Sequence, residues 1–332
     1  MQETQGTTPV SQITAGGRSD NRPSAATRLR ADSNARRAVS VITLVPVFLI
    51  LVITLALVVR SWPVLGTKPL DQTVVGAIWK PLDGMFGFLP FVAGTAWVTA
   101  VGMGLAVVPC LLVALYLSEY ARAATRTMAK PILDLLAAIP PVVYGVWGLL
   151  AVVPLVEDVL APFAKHWLSG IPIFAVNQPT GFSILAGGFV LAVMVAPFII
   201  AVLYEILDTV PEDLRHASLA LGATRWQTIR GVVIPKVLPG IVAGIVLGGS
   251  RALGETIAVL MVVGNVVQVP TSIFDAAYPL PALIANNYGD MMSIPLYDAA
   301  LLGGALVLLV VILAFNILST LVLQRLLGRR WT

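Results

Sequence analysis

The sequence predicts an all-α protein, a polytopic bundle of about six helices that cross a bilayer. Three observations predict it. The 332 residues are 58% hydrophobic and only 11% charged, whereas a soluble domain carries roughly 25% charged residues. Six apolar runs are long enough to span. The lysines and arginines between those runs fall mostly on one side. So much apolar surface leaves lipid as the solvent.

The runs cover 38–60, 91–117, 131–153, 183–207, 238–263 and 298–324. At about 1.5 Å per residue, some 20 residues cross a ~30 Å hydrocarbon core. Lipid cannot satisfy free backbone amides, so these runs must be helices rather than open strands. Pro46, Pro109, Pro140, Pro141 and Pro197 fall inside them, where packed transmembrane helices tolerate bends. Cys110 is the only cysteine, which rules out an intrachain disulfide.

Charge sets the orientation. The tail 1–37 carries six arginines, the 118–130 loop three basic residues, the 208–237 loop four and the C-terminus three. Arg60, Lys68, Lys80 and Lys165 are all that the opposite face carries, and Arg251 lies within a span. The positive-inside rule therefore places both termini and the 118–130 and 208–237 loops in the cytoplasm of a multi-pass plasma or inner membrane protein. Residues 1–37, rich in Ser, Thr, Gly, Arg and Ala without periodicity, read as a disordered cytoplasmic tail ahead of a transmembrane body, 38–332. A run of about 22 residues follows, too long for the h-region of a cleaved signal peptide. The outer loop 61–90 carries Trp62, Trp79 and Phe88, suited to the membrane interface. Segment 154–182 is expected as a second outer loop.

Polar groups inside a membrane are costly and therefore informative. Arg251 and Glu255 stand four apart in the fifth run, which on a continuous helix puts guanidinium and carboxylate on one face. Gly240, Gly244 and Gly248 form a doubled G-x-x-x-G on the same run, permitting close approach of a neighbouring helix. Arg251 and Glu255 lie about 100° round from that strip, which extends through Ala252 and Thr256. Two readings remain open for the pair: the wall of a polar pathway, or a buried salt bridge that only fixes packing.

The second informative region is 208–237. Leu214 to Leu221 is compatible with a helix, Gly222 breaks it, and Arg225 to Val233 resumes before Pro235. Taken alone, this is a basic, amphipathic hairpin on the membrane surface. The spacing of His216, Ala217, Ser218, Gly222, Val232, Ile234 and Pro235 resembles the coupling-loop signature of ABC importer permeases, E-A-A-x3-G-x9-I-x-L-P. His216 stands where that family usually has Glu, and Ser218 replaces the second Ala.

Further segments are similar to the PstC-type permeases of phosphate importers, within the binding-protein-dependent transport permease family. They are Leu117-Ser-Glu-Tyr120, the run from Leu136 to Gly148 that includes Tyr-Gly-Val-Trp-Gly, Leu219 to Trp226, and Gly249 to Asn265 with Arg-Ala-Leu-Gly-Glu-Thr. With the outer segment 79–95, the resemblance extends from about residue 79 to the C-terminus.

It implies a type I ABC importer permease fold and half of a translocation pathway for inorganic phosphate. A PstA-like permease chain would complete the heterodimer, an ATP-binding subunit dimer would power it, and an extracytoplasmic phosphate-binding protein would load it. The ATPase would dock on His216, Ala217, Ser218, Gly222, Ala223, Arg225 and Pro235. Arg251, Glu255 and Thr256 would belong to the pathway, with Arg251 meeting the oxyanion through its fork of donors and Glu255 holding that fork.

The chain itself is expected to be no enzyme and to bind no cofactor. None of its five lysines follows a glycine, so the G-K-[ST] of a phosphate-binding loop is missing and ATP with its magnesium belongs to the partner. His166 and His216 lack companions at ligand spacing, which argues against a metal. No nucleic-acid partner is indicated. Glu119 and Asp134 read as caps at the interface, and Asp298 as the outer boundary of the sixth run. Trp226 suits either ATPase contact or membrane anchoring. Permeases for molybdate or sulfate share the same anion chemistry. A secondary transporter would need coupling-ion carboxylates in repeated halves, which the sequence does not offer.

Overall fold

The computed structural model describes residues 25–66, 73–168, 170–178, 180–289, 291, 294 and 296–328. The expected tail therefore lies outside the described residues up to position 24. So do Arg18, Arg22, Lys68, Arg329 and Arg330. Helix α1, Ala25–Leu65, starts well ahead of the expected boundary at 38. Residues up to Thr54 form one unit and Leu55 onward another. Within the first unit, the apolar side chains from Val39 to Ile53 are exposed, as lipid-facing residues should be.

In the second unit a two-residue hairpin pairs β1, Trp79–Lys80, with β2, Met85–Phe86, antiparallel. Helices α2, Leu89–Leu115, and α5, Ile184–Asp208, are its most extensively packed pair. Around them lie α3, Ala123–Ala137; α4, Pro141–Trp167; α7, Arg225–Leu253; and α10, Tyr297–Gly328. Short helices α6, Glu212–Ala220, α8, Ile257–Leu260, and α9, Leu280–Asn287, connect them. Six of the described helices are long and apolar enough to cross a membrane.

Two spans differ from the expected runs. The third is Pro141–Trp167, not 131–153. Pro140 is extended, at φ −57° and ψ 138°, because a residue preceding proline is driven out of the helical region. The chain breaks there into amphipathic α3, with no buried side chain, and α4, which takes over part of the expected outer loop. The fifth span is Arg225–Leu253, not 238–263.

Three wide turns explain how proline-rich helices remain continuous. Gly148–Val152, Val156–Leu160 and Ile229–Val233 are π turns, closed by N–H groups of Val153, Ala161 and Ile234 donating five residues back. The next residue is Pro154, Pro162 or Pro235 in each case. A proline has no N–H to donate and crowds the carbonyl four residues earlier. The extra residue in the preceding turn moves that carbonyl aside.

Residues 264–297, between the fifth and sixth expected runs, contribute to the core. Phe274, Ala276, Ala277, Leu280 and Leu283 are buried. Irregular backbone at such a place requires protein partners. The start of α5 supplies them: its N–H groups at Ile184 and Leu185 donate to Asp275 and Ile273 carbonyls at 2.9 and 2.8 Å. The same bonds satisfy helix N-terminal donors that would otherwise be orphaned. Asp275, 4% exposed, accepts from Asn177 Nδ2, Thr271 N, Thr271 Oγ1 and Ser272 N at 2.8–3.1 Å.

Phe88, expected at the interface, is fully buried. It joins Trp79, Phe86, Phe91 and Tyr297 in an aromatic cluster with centroids 4.9–6.4 Å apart. Trp62 is 65% exposed.

Candidate functional site

Segment 208–237 folds as a helix, a glycine turn and a second helix. The turn is a Schellman motif: Ala223 N–H donates to the Ser218 carbonyl and Gly222 N–H to the Leu219 carbonyl. Gly222 takes φ +86°, a conformation open to glycine and strained for residues bearing a Cβ. Thr224 and Gln227 then form a capping box that starts α7. The second helix does not end before Pro235. The π turn carries it through that proline into the span, so the second helix of this segment and the fifth span are one helix.

His216, Ala217, Gly222 and Arg225 are exposed, while Ala223 and Pro235 are half-buried. Leu221 and Trp226 stand at the tip, 90% and 54% exposed. Ser218 Oγ lies 2.9 Å from Thr228 Oγ1 and links α6 to α7.

The Gly240–Gly244–Gly248 strip lies against α5. A Cβ on Gly240 would come within 2.8 Å of Ile206 Cγ2, one on Gly244 within 3.1 Å of Val202 Cγ1, and one on Gly248 within 2.6 Å of Ile199 Cγ1.

The expected Arg251–Glu255 pair is not formed. Helix α7 stops at Leu253, and Gly254 turns the chain before Glu255. Four residues apart puts two side chains on one face only while the helix continues. Glu255 Oε1 instead faces Ala258 N at 3.5 Å, and Thr256 Oγ1 donates to the Gly254 carbonyl, both at the start of α8. Arg251 is exposed on the last turn of α7. Its guanidinium carbon lies 4.9 Å from the centre of the Phe198 ring on α5. Among the described residues no carboxylate lies within ion-pair distance of it.

Glu119 is not an interfacial cap. It lies in a π turn, Tyr116–Tyr120, that extends α2, and its Oε1 accepts from Arg215 Nη2 at 3.0 Å and Nε at 3.2 Å. The two side chains are 9% and 18% exposed. A separation of 96 residues hides this pair from any local pattern; the only local signal is a carboxylate at the end of a long apolar run, in Leu117-Ser-Glu-Tyr120. Asp134 lies inside α3 rather than at a helix end.

Among the described residues no group of His, Cys, Asp and Glu could hold a metal. The model of binding-protein-dependent transport system inner membrane components matches residues 110–332, a stretch holding segment 208–237, the glycine strip and Arg251. The chain belongs to that family.

Relatives of this permease include the phosphate transport system permease protein PstC of Xylella fastidiosa (strain Temecula1), 36% identical over 75% of this chain and 77% of that one. PstC of Haemophilus influenzae is 30% identical over 89% and 93%. The probable ABC transporter permease YqgH of Bacillus subtilis (strain 168) is 36% identical over 78% and 79%. The chain is thus a permease of the PstC type. Its fold is that of ABC importer permeases. A bacterial ABC transporter involved in the import of the acidic polysaccharide alginate aligns with TM-score 0.53 at 20% identity, over 88% of this chain and 98% of that one.

Proposed function

We propose that the permease is the membrane-spanning subunit of an ATP-driven importer of inorganic phosphate. It forms half of the pathway with a PstA-like chain, receives phosphate from an extracytoplasmic binding protein, and docks an ATPase dimer on its 208–237 segment. Both termini are cytoplasmic in this reading, which the bias of Lys and Arg supports. ATP binding and hydrolysis belong to the partner. The names of the PstC relatives favour phosphate over other oxyanions.

Arg251 carries the reading. A guanidinium on an exposed face of a span, with no described carboxylate to neutralise it, is costly in lipid. An anion path between this chain and its partner removes that cost. The Phe198 ring supports the cation from one side without competing for its N–H donors, so the fork stays available to phosphate oxygens. Glu255 and Thr256 shape the α7–α8 break beside it rather than holding the fork.

Labelled-phosphate uptake in cells with and without this chain tests the reading, competed with sulfate and molybdate. Uptake should depend on the chain and resist competition; preferential competition by molybdate or sulfate would reassign the anion. Arg251→Gln should lower uptake about 10- to 100-fold, the equivalent of one charge-assisted contact, while the complex still assembles. Unchanged uptake would remove Arg251 from the pathway.

A further inference from the structure

Helix α6 has nine residues and no buried side chain. A helix so short has little stability of its own, so its attachment decides whether it moves with the membrane body or independently of it. Among the described residues, side-chain hydrogen bonds attach α6 at two places. One is the Ser218–Thr228 contact to α7.

The other is Arg215, whose five donors are almost fully used. Nη2 and Nε reach Glu119 Oε1, Nη2 also donates to the Leu207 carbonyl at 3.0 Å, and Nη1 donates to the Val210 carbonyl. Leu207 is in the last turn of α5, and Val210 lies just beyond its end. Helix C-terminal carbonyls lack intrahelical donors, and the helix dipole favours a cation there. One guanidinium therefore joins the coupling helix, the end of α5 and, through Glu119, the extended end of α2. Arg126 of α3 grips the same turn, donating to the Leu117 and Ser118 carbonyls. Helices α2 and α5 are the central pair of the body.

We propose that Glu119 and Arg215 are positioning residues that form a strut. It makes the coupling helix move as one body with α2 and α5, and so converts ATPase motion into pathway motion. The proposal rests on the reading of 208–237 as the ATPase-docking segment. A strut differs from a mere stabilising pair in what its loss does: the ATPase still docks and turns over, but turnover no longer drives transport. A lysine at 215 keeps the charge but not the fork that spans three acceptors. A glutamine at 119 keeps an acceptor without the charge.

The test uses the whole complex in proteoliposomes with its binding protein, measuring phosphate moved and ATP hydrolysed together. Arg215→Lys and Glu119→Gln should each assemble and hydrolyse ATP, while phosphate moved per ATP falls about tenfold or more, that is by at least ~1.4 kcal/mol of coupling. The double variant Glu119→Gln/Arg215→Lys should lose less coupling than the two single changes added together, because the contact they share is lost once.

Transport and hydrolysis falling in equal proportion, an unchanged ratio, or loss of assembly in all three variants would each assign the pair to stability alone and overturn the strut. Leu221→Asp, at the exposed tip, checks the underlying reading separately. If it leaves the ATPase bound, the docking assignment fails. If it releases the ATPase while the strut variants remain coupled, only the strut fails.

Discussion

Gly248 is the position where one added methyl should do most damage. Its Cβ would sit 2.6 Å from Ile199 Cγ1 and 2.8 Å from Cδ1. Ile199 is fully buried in the main core, so it cannot swing into lipid to make room. Overpacking of this kind costs about 1–3 kcal/mol, and replacing glycine by alanine in a helix returns up to about 1 kcal/mol. Gly248→Ala should therefore destabilise by a net ~1–2 kcal/mol, roughly 2–4 °C per kcal/mol in the melting of a body this size.

Two controls bracket the effect. At Gly240 the obstacle is Cγ2 of half-buried Ile206, which has room to yield, so Gly240→Ala should cost less. At Gly231 nothing lies within 4 Å of an added Cβ, so Gly231→Ala should be neutral or better. Thermal survival of the purified complex in detergent gives the order. Ile199→Ala, which deletes both clashing atoms, should cost about 2–5 kcal/mol alone but combine with Gly248→Ala at less than the sum. A Gly248→Ala complex as stable as the parent, or additive costs in the double variant, would refute close packing of α7 on α5 along this strip.

Two further outcomes are expected. Gly222→Val imposes a β-branched side chain on φ +86°; with open space around it, the cost is backbone strain of about 1–2 kcal/mol. It should weaken ATPase co-purification while leaving the melting of the membrane body unchanged. Asp275→Ala strands the donors of Asn177, Thr271 and Ser272 beneath the 264–279 segment. A loss of ~2–4 kcal/mol is expected from the missing bonds to a charged acceptor, read as a lower melting temperature, and full stability would show that Asp275 does not hold this segment.

The spans were legible because apolar runs of bilayer length have one backbone solution. Their ends were not, because prolines act in opposite ways according to the turn before them. Pro140–Pro141 breaks the chain, since Pro140 is extended. Pro235 is absorbed, since Ile229–Val233 widens ahead of it. The burial of 264–283 was illegible for another reason: its partners include the start of α5, Ile173 and Gly94 of α2, all distant in sequence, and no local period encodes them. Within the candidate site, Gly222 was readable from a spacing with a conformational cause. The Arg251–Glu255 pairing assumed a helix that Gly254 ends. Glu119 paired with a residue in another helix that only the fold brings near.

The continuity of α7 ties the two halves of the site together. From Arg225 to Arg251 it runs on the order of 40 Å without a break in helix. The exposed tip of 208–237 and the Arg251 guanidinium, which has no carboxylate partner among the described residues, are thus two ends of one rod. A rod transmits tilt except where it is soft, and the soft places are the π turn at Ile229–Val233 and Pro239 within the helix. Beyond them the glycine strip seats the rod on α5, and Arg215 fastens the neighbouring coupling helix to the end of that same α5. Helix α5 also carries the Phe198 ring under Arg251. Displacement of α5 relative to α7 changes what the guanidinium faces, and both helices are held at one end by the 208–237 segment, which an ATPase grips in the proposed reading. An importer needs its anion contact to depend on the state of a distant motor. If Arg251 is that contact, as proposed, the dependence requires no relay of small side-chain shifts, only two helices packed face to face and fastened at one end.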